Sequence, residues 1–527
     1  MQVLSFTGFT ILVAVISYYK TRKTNESTSD GYFLGGRSLT GFVIAGSLLL
    51  TNLSTEQIVG LNGAAFKEGI LVMAWETLAA LAMVVTALFL LPRYLKGGIT
   101  TVPQFLERRY DKMTRTIASG LFLSGYAVIL LPIVLYSGAL AINSMFNVPE
   151  LLGVEKNTAL WITVWGIGII GSIYAIFGGL KAVAVSDTIN AIGLLIGGLL
   201  IPVFGLLAIG DGSISDGIST LVVSHPEKMN AIGGPDSSIP FGTIFTGMML
   251  VQLFYWGTNQ AIIQRALGAK NLKEGQKGLF LAAFIKILGP VIVVVPGIIA
   301  FHMFGGTLTN PDEAYPLLVK EVLPEVFLGF FAAVLFGAIL SSFNSALNSS
   351  VTLFGLGIFK SYIKKEATEV EIVKAGKRFG TILALVSMCI APLLIYAPNG
   401  LFSYLQEVNG IYSIPILTII VVGYSTKYVS ALAAKVGIIS GSALYIVSQF
   451  LVKPIVGADH YPHFLHVMAV LFVLNVIIML IIGKIKPRHE VYLQKYTDQV
   501  DILPWRYSWV TGIVISIIVI AIFFYFS

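Results

Sequence analysis

Thr51-Asn52-Leu53-Ser54-Thr55-Glu56-Gln57 puts six polar side chains, one of them a carboxylic acid, inside an apolar stretch running from about Ser38 to Phe66. Such a run is costly at membrane depth unless it faces protein, water or a ligand. Ser, Thr and Asn also compete for backbone hydrogen bonds, so a helix is expected to unwind here and free the carbonyls around Leu50 and Leu53. Freed carbonyls at mid-membrane suit a hard cation. A polar helix–helix contact explains two or three such residues, not the whole run.

A second set lies in Ala338-Ile339-Leu340-Ser341-Ser342-Phe343-Asn344-Ser345. Positions 338, 341, 342 and 345 fall on one helix face. Hydroxyls and carbonyls are the oxygen ligands a small hard ion such as Na⁺ prefers, and they leave its charge unneutralised, which keeps release possible. The same spacing fits a small-residue packing face, and the octapeptide alone leaves both readings open.

Four ionisable residues lie in or at the edges of apolar spans: Glu56, Glu76, Asp187 and Lys286. An unpaired charge there costs at least ~2.5 kcal/mol, so each is a functional candidate. Glu76 and Lys286 could instead pair structurally, and Asp187 begins a span where a helix N-terminus favours a carboxylate. Glu407 follows Gln406 within another span, echoing Glu56-Gln57. Enzyme signatures are missing: no P-loop, no H-E-x-x-H and no G-x-S-x-G. The six histidines, at 225, 302, 460, 463, 466 and 489, sit in or beside loops, which leaves a membrane hydrolase without a base. Any pumping must be driven by an ion gradient.

The elements that position these residues are membrane helices. Of 527 residues, 56% are hydrophobic and 12% charged, and mean hydropathy is +0.85; a soluble domain carries about 25% charged residues. The lone Cys389 excludes disulfides and Cys-based metal clusters. Val3 to Tyr19 lacks a basic leader and cleavage site and reads as a retained helix. Apolar windows predict about 14 transmembrane helices, an all-α polytopic membrane protein. The spans run near 3–19, 38–66, 70–95, 113–146, 159–179, 183–208 and 240–266, then 276–303, 325–362, 377–397, 400–424, 430–452, 461–483 and 508–526. With this count, 28 of the 34 Lys and Arg residues fall in one set of alternate loops and five in the other, while Lys286 stays inside a span. The positive-inside rule then puts both termini outside, and the +7 net charge becomes a topology signal rather than a nucleic-acid patch. The loop near 209–240 is expected to be a lid or linker with at most a short helix.

Spans two to six and seven to eleven form matching sets of five. In each the third span is longest, and the first carries a polar run, the second run being Tyr255-Trp256-Gly257-Thr258-Asn259-Gln260. Five is odd, so the second set enters from the opposite side as an inverted repeat. The expected organisation is one membrane domain: an extra helix and loop (1–37), repeats over 38–208 and 240–424, and three closing helices (425–527).

The run T-N-L-S-T-E-Q-I-V-G, F-Y-W-G-T-N-Q-A-I-I-Q-R at 254–265, K-G-L-F-L-A-A-F-I-K at 277–286 and Q-E at 406–407 resemble the solute/sodium symporter family, closest to its bacterial sodium/galactose branch. The resemblance implies a LeuT-type five-plus-five inverted repeat. It also implies sodium-coupled symport of a neutral sugar or polyol across a bacterial inner membrane, with Na⁺ as coupling ion, no organic cofactor and no required oligomer. By position it implies substrate contacts at Gln57, Glu76, Gln252, Lys286 and Gln406. Tyr255 and Trp256 would form an inner gate, and Leu61, Trp75 and Phe402 an outer one. Sodium would take the carbonyls of Leu50, Leu53 and Ala338 and the hydroxyls of Ser341 and Ser342. A second sodium, used by some members, would take Asp187, Ser341, Asn344 and Ser345, although Asn344 replaces a Ser. Gln252 stands for an Asn and Ala79 for a Ser of the galactose transporter, which puts galactose itself in doubt. Amides, a carboxylate and an ammonium can all be satisfied by sugar hydroxyls, and no Arg, the usual partner of an anion, lies in the proposed substrate site. The alternatives are symport of another small solute (an amino acid, a carboxylate or inositol) and, on the same scaffold, a sensor or channel. A sensor needs an output domain, and a channel needs continuous pore rings.

Overall fold

A computed structural model describes residues 2–21, 28–308, 310–396, 401–457 and 460–527. Helices dominate; the β pairing among the described residues is an isolated bridge between Leu39 and Ala269. Ten helices are long and apolar enough to cross a membrane, or eleven counting the bent pair Leu272–Ile287 and Gly289–Phe304. Nine of them, from Lys112–Phe146 to Ser508–Tyr525, match predicted spans, eight to within about four residues and Glu369–Tyr396 with a start eight residues earlier than expected. The tenth, Thr55–Lys96, has 42 residues and as one rod would reach about 60 Å, twice the hydrocarbon thickness. It turns at Gly69, where φ is +75° and a side chain would strike the Lys228 carbonyl. Lys228 Nζ caps the preceding helix by donating to the Phe66 carbonyl at 3.2 Å. The loop around 210–240 carries one short α-helix, Ile214–Ser224, followed by a single 3-10 turn, Pro226–Lys228.

Both polar runs break their helices. Gly41–Asn52 stops where Leu53 takes ψ 57° and Ser54 ψ 178°, and Thr55–Glu68 then starts. The carbonyls of that last turn lie outside a regular helical ladder. Met249–Gly257 stops at Thr258, and Asn259 starts Gln260–Leu267 by accepting from the Ala261 amide. The Tyr126 hydroxyl, 2.7 Å from Asn259 Oδ1, pins this second break. The 51° bend after Ile287 was not anticipated. Its signal was Gly289-Pro290: proline cannot continue the hydrogen-bond ladder, and any side chain at Gly289 would collide with Glu76.

The lysine- and arginine-rich loops gather on one face, as the charge count requires. Arg37 donates to the Leu267 and Gly98 carbonyls, Lys112 to Ser361, Arg488 to Arg109, and the Leu272 amide to Asp501. On the opposite face the 210–240 loop meets residues 66–69 through Lys228 and the chain's end through Ala231 and Phe526. Glu325–Thr352 runs through the middle with nearly every residue from Phe331 onward buried. Gly138 lets Ile339 in close, Gly171 admits Phe343, and Gly337 faces Asn190. The packing-face reading of this helix is therefore true as well.

Candidate functional site

Between the two broken helices lies a cavity lined by Asn52, Gln57, Trp75, Glu76, Ala79, Val251, Gln252, Tyr255, Trp256, Lys286, Phe402 and Gln406. It gathers all five residues assigned to substrate and four of the five gate residues; Leu61, fully buried, is the exception. The free volume is about 30 Å³, room for a water or two. A ring-sized solute needs the walls to part.

The floor of the cavity is an ion pair. Lys286 Nζ contacts both Glu76 oxygens, with the lysine 1% and the glutamate 0% exposed. Gln57 Nε2 donates to Glu76 Oε1 at 2.9 Å. Gln252 donates to the Trp75 carbonyl at 2.7 Å and accepts from the Trp256 indole at 3.1 Å, and Lys286 Nζ lies 5.8 Å from the centre of that indole ring. Gln406, half-buried, has no hydrogen-bond partner among the described residues. The lining therefore carries no net charge: a self-neutralised pair, four amides and aromatic faces.

On the side of the 210–240 loop the cavity is sealed. Trp75 and Phe402 pack edge to face, 5.2 Å between centroids. Gly60 permits this closeness, since a Cβ there would lie 2.6 Å from Phe402 Cβ. Beyond Phe402 is a second cavity of about 190 Å³, walled by Gly60, Lys67, Asp312 and Ser403 among others. Phe402 is the partition between them. On the other side Tyr255 and Trp256 sit ring to ring at 5.2 Å, with Asn52 within hydrogen-bonding reach of the Tyr255 hydroxyl.

The serines of Glu325–Thr352 reach the first break. Ser342 Oγ donates to the Thr51 carbonyl at 3.0 Å, and Thr51 Oγ1 lies 3.1 Å from Ser345 Oγ and 3.5 Å from Ser341 Oγ. Ala338 is buried one turn earlier. Hydroxyls and last-turn carbonyls thus converge. Among the described residues no group of three His, Cys, Asp or Glu forms a conventional metal centre.

Of the residues assigned to a second sodium, Ser341 lies beside Asp187 and lines one cavity with Asn344. Asp187 accepts from Ser47 Oγ at 2.7 Å, but Ser47 also accepts from Arg265 Nε at 3.2 Å, and another Arg265 nitrogen donates to Ser345 Oγ. The cavity that Ser341 and Asn344 share, of about 140 Å³, lies next to the first helix, Gln2–Thr21, and Asn344 Oδ1 is buried without a partner. Arg265, which the loop-charge count takes as a loop residue, is 0% exposed inside the bundle. That is a correction: it closes the helix Gln260–Leu267 and reaches back over it. Its signal was position, one helical turn beyond the polar run. Glu407 is also corrected, since it leaves the core to pair with Lys453 at 2.6 Å. Glu56 is buried beside the break with Oε2 unpartnered, and it does not line the cavity.

A helical membrane protein with two interrupted helices meeting at a small polar cavity has the construction of a secondary transporter. Residues 32–441 match the model of the Sodium:solute symporter family, and the chain belongs to that family, whose members are transporters rather than enzymes. It is 51% identical over 506 residues to the uncharacterized symporter YidK of Escherichia coli (strain K12), covering 96% of this chain and 87% of that protein. It is 30% identical to the sodium/glucose cotransporter of Vibrio parahaemolyticus, over 84% of each chain. It is 28% identical to the human sodium/myo-inositol cotransporter 2, over 84% of this chain and 68% of that one. The fold is shared with a substrate-bound, outward-open Na⁺-coupled sialic acid symporter: TM-score 0.77 at 20% identity, over 93% of this chain and 99% of that one. A nucleobase-cation-symport-1 family transporter in a closed conformation gives TM-score 0.57 at 16% identity, over 88% and 96%. The fold is LeuT-type, as the sequence motifs implied.

Proposed function

We propose that the chain carries a neutral sugar or polyol into the cell together with Na⁺, by alternating access around the cavity at Glu76 and Lys286. The observation that carries this reading is the lining itself. Lys286 is already neutralised by Glu76, so an anionic solute gains no free cation, whereas hydroxyls can exchange hydrogen bonds with every polar group present. Relatives named for glucose and myo-inositol support the same class. Sodium is placed at the first break, on the carbonyls of Leu50, Leu53 and Ala338 and the hydroxyls of Ser341 and Ser342. Phe402 with Trp75 and Leu61 is the outer gate, and Tyr255 with Trp256 the inner one. The proposed arrangement has fourteen crossings in a bacterial inner membrane, inverted repeats over 38–208 and 240–424, and both termini outside. One Na⁺ entering at ~100 mV down a tenfold gradient supplies about 2.3 plus 1.4 kcal/mol, enough for several-hundred-fold accumulation.

The test is uptake into proteoliposomes from a panel of monosaccharides, inositols, amino acids and carboxylates, with and without a sodium gradient. Accumulation of one or more neutral polyols that collapses without Na⁺ is expected. Accumulation of a carboxylate or amino acid alone, with no polyol competing, would transfer the reading to another solute class.

A further inference from the structure

We infer that the groove between Leu353–Ile363 and Glu369–Ile390 binds one anionic phospholipid, its phosphate on Lys374 and Arg378 and its acyl chain along the apolar wall. The helix that carries Ser341 and Ser342 runs on through Leu353–Ile363, and a capping box at Thr368 starts the returning helix, Glu369–Ile390. Phe354 and Phe379, one from each, stack face to face at 4.2 Å and 5° and form the floor. The groove above them holds about 520 Å³, room for a phosphoglycerol head and the upper part of an acyl chain.

Its polar end is cationic. Lys364, Lys374 and Arg378 meet a single carboxylate, Glu371. That carboxylate is engaged within the protein: one oxygen accepts from Lys364 Nζ and the other from the Thr368 amide at 2.9 Å. Lys374 and Arg378 are exposed and have no protein partner among the described residues. Both lie near the start of their helix on the Lys- and Arg-rich face, where Lys112 also meets Ser361. Positions 374, 378 and 382 share one helix face, so the two free cations lead to Ile382 and then to Leu385 and Val386, all exposed. Glu369–Tyr396 is a membrane span, and an exposed apolar strip on it faces the bilayer. Basic residues between helix ends with an apolar strip running deeper match a phospholipid, phosphate above and chain below. A soluble anion would leave the strip uncovered, and an acidic peptide would have to enter the bilayer to cover it.

Native mass spectrometry of the full chain in detergent, titrated with phosphatidylglycerol or with phosphatidylcholine, tests this. One phosphatidylglycerol should bind ahead of any further lipid, and phosphatidylcholine should not reproduce it. Lys374→Gln with Arg378→Gln should lower that affinity about thirtyfold. Lys360→Gln with Lys365→Gln removes the same charge from exposed positions of the same connection, outside the groove, and should leave the affinity unchanged. Equal binding of the two lipids by the wild type would overturn the inference with no variant needed. So would a folded Lys374→Gln, Arg378→Gln protein that keeps its first phosphatidylglycerol, or an equal loss in the Lys360→Gln, Lys365→Gln control. Displacement of the lipid by glycerol 3-phosphate would also overturn it, and would make the groove a site for a soluble phosphate.

Discussion

The interior holds two buried acid–base assemblies, and they are built differently. Glu76 and Lys286 touch directly and line a cavity together with a glutamine, Gln406, that has no hydrogen-bond partner among the described residues. Asp187 and Arg265 are joined through Ser47, and neither lines one of the described cavities. Both solve the problem of charge in a low-dielectric interior, where leaving one partner alone is strongly unfavourable. They differ in what a ligand can do to them. Hydrogen bonds that face a cavity can be exchanged for a ligand's hydroxyls; bonds saturated within the protein hold elements together. An ion pair is a binding device or a strut according to what faces it.

The comparison breaks most visibly at Lys286. Lys286→Met strands the Glu76 carboxylate, a cost of about 3–5 kcal/mol, and should lower thermal stability and abolish uptake together. Adding Glu76→Gln should restore much of the stability, read by melting in detergent, but not the uptake. Recovery of uptake in the double variant would make this pair a strut like the other one.

Gln57 and Gln406 sharpen the contrast inside the cavity. Gln57→Ala removes a bond to a charged group, about 1.5–3 kcal/mol, and should weaken substrate affinity roughly ten- to a hundredfold. Gln406→Ala removes a neutral contact made only with ligand, about 0.5–1.5 kcal/mol or roughly two- to tenfold, with the melting temperature unchanged. Isothermal binding on both variants separates the two sizes.

Ser342→Ala comes next. It should lower sodium affinity and, because linkage is reciprocal, lower substrate affinity at moderate Na⁺, with partial recovery at high Na⁺. A substrate titration at two sodium concentrations reads it.

The smallest effect is a control on the basic face. Partial burial works against the Asp111 carboxylate, but Lys435 and the Thr114 amide and hydroxyl hold it below its ordinary range. The stability it adds is present above the unfolded value near 3.8 and is lost as pH falls through the lower folded one. Asp111→Ala also removes a helix cap, about 1 kcal/mol, and should lower the melting temperature slightly while leaving uptake intact. A loss of uptake would tie the basic face to the transport cycle.

Much of this was legible in the sequence, for a physical reason. Polar side chains are so expensive at membrane depth that Asn52–Gln57 and Tyr255–Gln260 had to mark special places, and both are helix breaks. Alternating loop charge sorted the loops into two faces, and the contacts of Arg37, Lys112 and Arg488 follow that sorting. Lys286 and Glu76 were visible as candidates, but their pairing across 210 positions depends on a bend at Gly289 that periodicity does not report. Arg265 was missed because its position, next to a run of charged loop residues, looks the same whether the side chain turns out or in. Hydropathy records a residue's cost, not the partner that offsets it.

The central claim is that sodium at the first break and solute in the Glu76–Lys286 cavity bind as one coupled event. Equilibrium binding of the polyol accepted by the wild type, measured across a series of sodium concentrations, tests it directly. Substrate affinity should rise with Na⁺ and then plateau, and saturating substrate should raise sodium affinity by the same factor. An affinity that stays constant from zero to saturating sodium would contradict the account.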